Sequence, residues 1–167
     1  MDHGPTGEAR LRGVRESLDH DLVMGAVGGL VAGAVAWSLA ALLAEVVGSP
    51  ASPVRLVAAS LLGPAALDHG SAFPVLLGAL LAGVFAVLFA LPLLCLMPER
   101  AGPLPATAAG AAFGVALFFP VWFALIRVAD PLLFEASRGY GPLVMALHVV
   151  YGAILGFLAP ILRRTVL

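Results

Sequence analysis

The sequence has 167 residues, 61% of them hydrophobic and only 11% charged, with a mean hydropathy of +1.04 and a formal charge of -1. A soluble domain of this length, ordinarily roughly 45–50% apolar and about 25% charged, has too little interior to hide so much apolar surface. The nine basic residues, all Arg, face ten acids; that balance offers no basic stripe to phosphates and excludes nucleic acid as a partner.

Residues 1–21 mix the acids Glu8, Glu16, Asp19 and Asp21 with Arg10, Arg12 and Arg15. The apolar run that follows is longer than the usual 7–15 or so residues of a secretory signal, so it is expected to stay as a membrane span. Positions 9–19 are read as a short surface helix or a loose tail.

Four apolar blocks follow, at about 22–47, 72–97, 106–128 and 142–161. Each meets the roughly 20 helical residues that cross a hydrocarbon core. A backbone in lipid must satisfy its own hydrogen bonds, so the blocks are predicted to be helices; the short alternating segments of a β-barrel are missing. The predicted fold is an all-α integral membrane protein, a compact four-helix transmembrane bundle. Pro92, Pro120 and Pro160 are expected to bend their helices, while Pro74 and Pro142 fit first-turn positions.

The connections differ in character. Residues 48–71 carry an apolar stretch, 54–67, too short to span, which reads as an interfacial or re-entrant segment broken at Gly63–Pro64. The connection "PERAGPLP" is a tight turn expected to make spans two and three close antiparallel neighbours. Residues 129–141 hold an apolar patch, Leu132–Phe134, among charges.

Six arginines (Arg10, Arg12, Arg15, Arg100, Arg163 and Arg164) fall on one side of this topology. Three (Arg55, Arg127 and Arg138) fall on the other. The positive-inside rule then puts the segment 1–21 and the tail 162–167 in the cytoplasm. Ala, Arg and Pro usage without lysine suggests a bacterial chain, hence the cytoplasmic (inner) membrane.

Small residues recur at spacings of four. Gly25, Gly29 and Gly33, with Ala36 and Ala40 near the same face, mark span one; Ala79 and Gly83, with Ala82, Ala86 and Ala90 beside them, mark span two; Gly110 and Gly114 mark span three, and Gly152 and Gly156 span four. Residues four apart share a helix face, and small side chains let backbones approach where lipid gives little drive for association. These faces are expected to pack within one bundle or against another subunit.

His148 is the deepest ionisable candidate, about 9 Å into span four at 1.5 Å per residue, on the face of Gly152 and Gly156. A neutral imidazole there needs a partner, with Tyr151 one turn away. Three readings follow: a helix-to-helix hydrogen bond, an axial ligand to a heme or chlorin seated beside the glycines, or a point on a proton or solute path. Glu45, Asp68, His69, Arg127 and Asp130 collect at the outer ends of the spans and are expected to form a polar cluster over the bundle mouth. Their spacing matches no metal motif, no serine stands in a nucleophile elbow, and no catalytic set emerges.

These features together suggest a structural or accessory subunit of a larger membrane complex, respiratory or photosynthetic. It would have lipid, other membrane subunits or its own copies as partners. The alternative is a small oligomeric transporter or channel using the polar site near His148.

Overall fold

The structure, a computed structural model, describes residues 7–47, 52–68, 70–98 and 101–165. All secondary structure among them is helical. Helix α1 runs Gly7–Val46, α2 Pro53–Leu62, α3 Phe73–Leu96, α4 Pro103–Pro120, α5 Arg127–Ala129, α6 Pro131–Ser137 and α7 Gly141–Thr165. Single 3-10 turns cover Gly63–Leu67 and Arg138–Tyr140, and a π-type turn, Val121–Ile126, joins α4 to α5.

Four stretches are long and apolar enough to cross a membrane: Leu22–Val46, Phe73–Leu96, Pro103–Ala129 and, counting α6 with α7, Pro131–Arg164. Their outward side chains match that composition. Leu30, Leu42, Leu76, Leu80 and Phe119 each expose half their surface or more. Segment 7–21 continues without a break into the first span, giving α1 40 residues, a rod of about 60 Å.

Proline sets several helix starts. Pro53, Pro74, Pro103 and Pro131 all stand in a first turn, where the missing N–H has no intrahelical carbonyl to serve. Inside helices the effect differs by position. Pro92 and Pro160 lie within unbroken α-helix, whereas Pro120 is followed by the π-type turn at 121–126. Its absent donor leaves the Ala116 carbonyl without its helical partner, and the ladder widens directly after it.

The helices associate as two antiparallel pairs. In the first, α4 lies on α7 along Ala106–Gly156, Gly110–Gly152 and Gly114–His148. A Cβ at any of the four glycines would overlap a backbone carbonyl of the facing helix. Each step of four on α4 is matched by a reverse step of four on α7, so the two stripes mesh along their length. In the second pair, a Cβ on Gly29 of α1 would stand 2.7 Å from the Ala86 carbonyl oxygen and 3.0 Å from the Val87 Cα of α3. Gly33 meets the Ala86 methyl, and Gly25 meets the flexible end of Leu91. The pairs join where Gly28 of α1 faces Leu155 and Leu162 of α7. Around that junction sit the fully buried Met24, Leu94 and Leu155.

Two expectations need correction. Helices α3 and α4, adjacent in sequence, scarcely touch. The glycine stripe of α4 finds its complement on α7, and α3 turns its small residues to α1. Gly83 is not a close-approach position: a Cβ there would make ordinary contact with Leu30 at 3.4 Å. Of the small residues of this span, Ala82, Ala86 and Ala90 form the buried face, joined by Gly78, while Ala79 and Gly83 lie one residue out of step with it. At Gly78 a side chain would strike the Val54 carbonyl of α2, so this glycine seats α2 on the bundle.

Two arginines clamp backbone ends. Arg163 of α7 donates from Nη2 to the Leu94 carbonyl at 3.0 Å and the Met97 carbonyl at 3.2 Å, and from Nη1 to the Pro98 carbonyl at 3.0 Å. These are carbonyls at and after the end of α3, which a cation there suits. Arg55 of α2 donates to the carbonyls of Ala66, Asp68 and Ser71 at 3.3, 2.6 and 2.9 Å. It holds the chain together after Gly63, whose φ of +61° ends α2 in a conformation that favours glycine.

Candidate functional site

Beyond Gly33 the two helix pairs part. Between them lies a half-open cavity of about 290 Å³, bounded by α1, α3, α4 and α7 and flanked by α2 and α6. The opening follows from the sequence of contacts. Glycines hold α1 to α3 and α4 to α7, while the pairs are joined by Gly28 with Leu155 and Leu162 toward the opposite end and by the Tyr151 hydroxyl on the Ala86 carbonyl at the edge of the cavity. Trp37, Phe85, Phe89, Leu117 and Trp122 wall the space. Trp122 is carried on the widened turn after Pro120, 5.7 Å from the Phe118 ring and 5.5 Å from Phe134 of α6.

His148 lines this cavity. Its Nδ1 donates to the Val144 carbonyl one turn back, at 2.9 Å. In the neutral ring, which carries one N–H, Nε2 is then the acceptor. Phe118 meets the ring edge-on at 5.7 Å between centroids. Tyr151, one turn away, is not its partner. The Tyr151 hydroxyl, buried, donates across the bundle to the Ala86 carbonyl of α3 at 2.5 Å.

The space that Gly152 and Gly156 offered a heme or chlorin is occupied. The backbone of α4 at Gly110 and Ala106 lies against them, which leaves no slot for a planar macrocycle on that face of His148. Among the described residues, no group of three or more His, Cys, Asp or Glu stands close enough to hold a metal ion.

Among the described residues, Glu45, Asp68, Arg127 and Asp130 make no hydrogen bond or ion pair with one another. Glu45 is exposed on α1. Asp68, also exposed, accepts the Gly70 N–H at 3.0 Å and offers its main-chain carbonyl to Arg55. Arg127 lies over the Phe134 ring, 5.9 Å from its centroid. His69 lies outside the described residues. The ion pair found among the described residues joins Arg138 and Glu135 at 3.7 Å, both well exposed.

Asp130 is the exception. Only 6% exposed, it borders the cavity and caps α6, its Oδ1 accepting the Leu133 N–H at 3.1 Å. Burial pushes its carboxyl above the ordinary range, and the Leu133 hydrogen bond opposes this less strongly. The signal for its position was present in the sequence. Asp directly before Pro, with an apolar run following, reads as N-cap and first helical residue.

Three hydroxyls in the cavity wall, those of Ser60, Ser137 and Tyr151, share one habit. Ser60 donates to the Val57 carbonyl at 2.8 Å, and Ser137 donates to the Leu133 carbonyl. With Tyr151 and His148, four polar side chains facing the cavity spend their protons on backbone carbonyls.

Comparison with protein-family models, with curated proteins and with solved structures finds no match to this chain.

Proposed function

We propose that this chain is a multi-pass membrane protein serving as an accessory module of a larger membrane complex. The observation that carries this reading is the destination of its polar groups. Arg55, Arg163, Ser60, Ser137 and Tyr151 all bind main-chain carbonyls of the chain itself. Polar chemistry is thus spent on holding the fold rather than gathered around a reaction centre, while the flanks of the long helices are apolar. Those flanks suit lipid and the helices of neighbouring subunits. The arginine asymmetry supports an orientation with both ends of the sequence in the cytoplasm of a bacterial cell.

Mild extraction of the tagged chain from its native membrane, followed by native electrophoresis, tests the assignment. The expected result is stoichiometric comigration with larger membrane subunits. A lone, monodisperse chain surviving the gentlest extraction overturns it. Cytoplasmic labelling at the N-terminus with external labelling at Ser137 is the expected topology.

A further inference from the structure

We propose that the cavity beside His148 binds a single-chain amphiphile with a hydroxyl head, a long-chain or isoprenoid alcohol, whose O–H donates to His148 Nε2. The walls supply the first half of the argument. Aromatic and aliphatic side chains from both helix pairs enclose about 290 Å³, near the lower end of the ~300–1,000 Å³ typical of ligand sites. A half-open space at that lower end suits one alkyl or prenyl segment rather than two lipid tails.

Hydrogen-bond accounting supplies the second half. Ser60, Ser137, Tyr151 and the His148 Nδ1 have given their protons to carbonyls. These four leave lone pairs for an occupant, while the Tyr140 hydroxyl and the indole N–H groups of Trp37 and Trp122 are donors in the same wall. On His148 that lone pair is Nε2, which no hydrogen bond among the described residues reaches. A ligand head that only accepts, such as a ketone, quinone carbonyl or ether, cannot satisfy it. A hydroxyl can, and its oxygen can still accept from an indole N–H of Trp37 or Trp122, both in the wall. A charged amine head would lose its hydration in an apolar site.

The two tryptophans of the chain, Trp37 and Trp122, both line the cavity, so intrinsic fluorescence reads its occupancy. The experiment uses the full chain in phosphatidylcholine nanodiscs, titrated with terminally brominated undecanol or with the methyl ether of the same compound. The alcohol is expected to quench saturably, to be displaced by unbrominated undecanol, and to bind about three- to tenfold tighter than the ether, the span of one net hydrogen bond. His148→Leu should bring that ratio close to one while keeping saturable binding. Ala40→Phe, which puts a ring into the cavity, should abolish saturable quenching by both compounds.

Quenching that rises without saturation and equally for the two compounds overturns the proposal. So does an alcohol preference that survives His148→Leu. The alcohol–ether comparison on the unaltered chain decides the matter even where a variant fails to fold. Replacing phosphatidylcholine with phosphatidylglycerol, whose head carries hydroxyls, separates two sources of the occupant. A severalfold loss of apparent affinity for undecanol means that a two-chain lipid occupies the site and overturns the single-chain occupant; unchanged affinity assigns the site to a free alcohol.

Discussion

The main-chain carbonyl of His148 occupies the volume that any side chain at Gly114 would need. The candidate site and the packing of the bundle are therefore one construction. Backbone contact between α4 and α7 fixes the height of His148. The Nδ1–Val144 hydrogen bond and the Phe118 ring then set the direction of its imidazole. A change at Gly114, which is not part of the cavity wall, reaches the imidazole through the backbone of α7.

Substitution along this seam should be far costlier than on the adjacent face of α3. Gly110→Ala and Gly152→Ala each drive a methyl into a facing carbonyl, while Gly83→Ala meets only Leu30 at ordinary distance. Overpacking of a tight core typically costs about 1–3 kcal/mol. Unfolding in graded sodium dodecyl sulfate, followed by circular dichroism, should show losses at least that large for the two seam variants and near-neutrality for Gly83→Ala. Equal tolerance at all three would remove the seam as a determinant of the fold.

The contrast between Gly83 and Gly78 shows where sequence reasoning runs out. Four spans are legible because about 20 apolar residues in helical form match a bilayer. The stripes of α4 and α7 are legible because glycines four apart must share a face. On α3, however, small residues occupy two neighbouring faces, and a helix that is apolar all round gives no amphipathic signal to choose between them. The choice is made by α1 and α2, whose positions are tertiary facts. The partners of the arginines are illegible for a related reason: Arg55 and Arg163 bind main-chain carbonyls, and a carbonyl acceptor leaves no mark in the sequence.

Tyr151 ties the two helix pairs through one hydrogen bond, from its hydroxyl to the Ala86 carbonyl. Ala86 is also where Gly29 and Gly33 approach α3, so α1, α3 and α7 converge there. Tyr151→Phe keeps the ring and removes the donor. The carbonyl retains its helical bond, so the loss should be about 0.6–1.5 kcal/mol, the range for side-chain hydrogen bonds between membrane helices. The same detergent unfolding, with Tyr151→Leu as a larger-volume perturbation, measures it. No change in Tyr151→Phe would mean that ring packing alone joins the pairs.

Arg163 and Arg164 are adjacent and carry the same charge, but only Arg163 holds α3. Arg163→Gln removes bonds to the Leu94, Met97 and Pro98 carbonyls and should cost roughly 1–3 kcal/mol. Arg164→Gln, at an exposed position, should lie within about 0.5 kcal/mol of the parent chain. Because both variants change the net charge equally, their difference isolates the clamp. Arg163→Lys should recover only part of it, since a point ammonium cannot bridge spaced acceptors as a planar fork does. Matching stabilities for the two glutamine variants would count against the clamp.

The buried cap at Asp130 gives a pH dependence with a definite sign. Burial raises its carboxyl above the ordinary range, so the folded chain binds this proton more tightly than the unfolded chain does. The associated stability is fully present below the unfolded carboxyl value, about 3.9, and is lost as pH rises through the higher folded value. Asp130→Asn keeps an N-cap acceptor for the Leu133 N–H without the buried charge. Relative to Asp130→Asn, the parent chain should therefore be least stable near neutrality and should gain stability on acidification. Subtracting one pH profile from the other cancels the exposed carboxylates of Glu45, Asp68 and Glu135, which both chains share. Asp130→Ala should fall below Asp130→Asn by about 1 kcal/mol at every pH, the ordinary worth of a helix cap. Unfolding curves for the three chains between mildly acidic and neutral pH supply the measurement. A difference profile of the opposite slope would show that Asp130 is held as a stabilised anion, and its cap as stronger than the desolvation it endures.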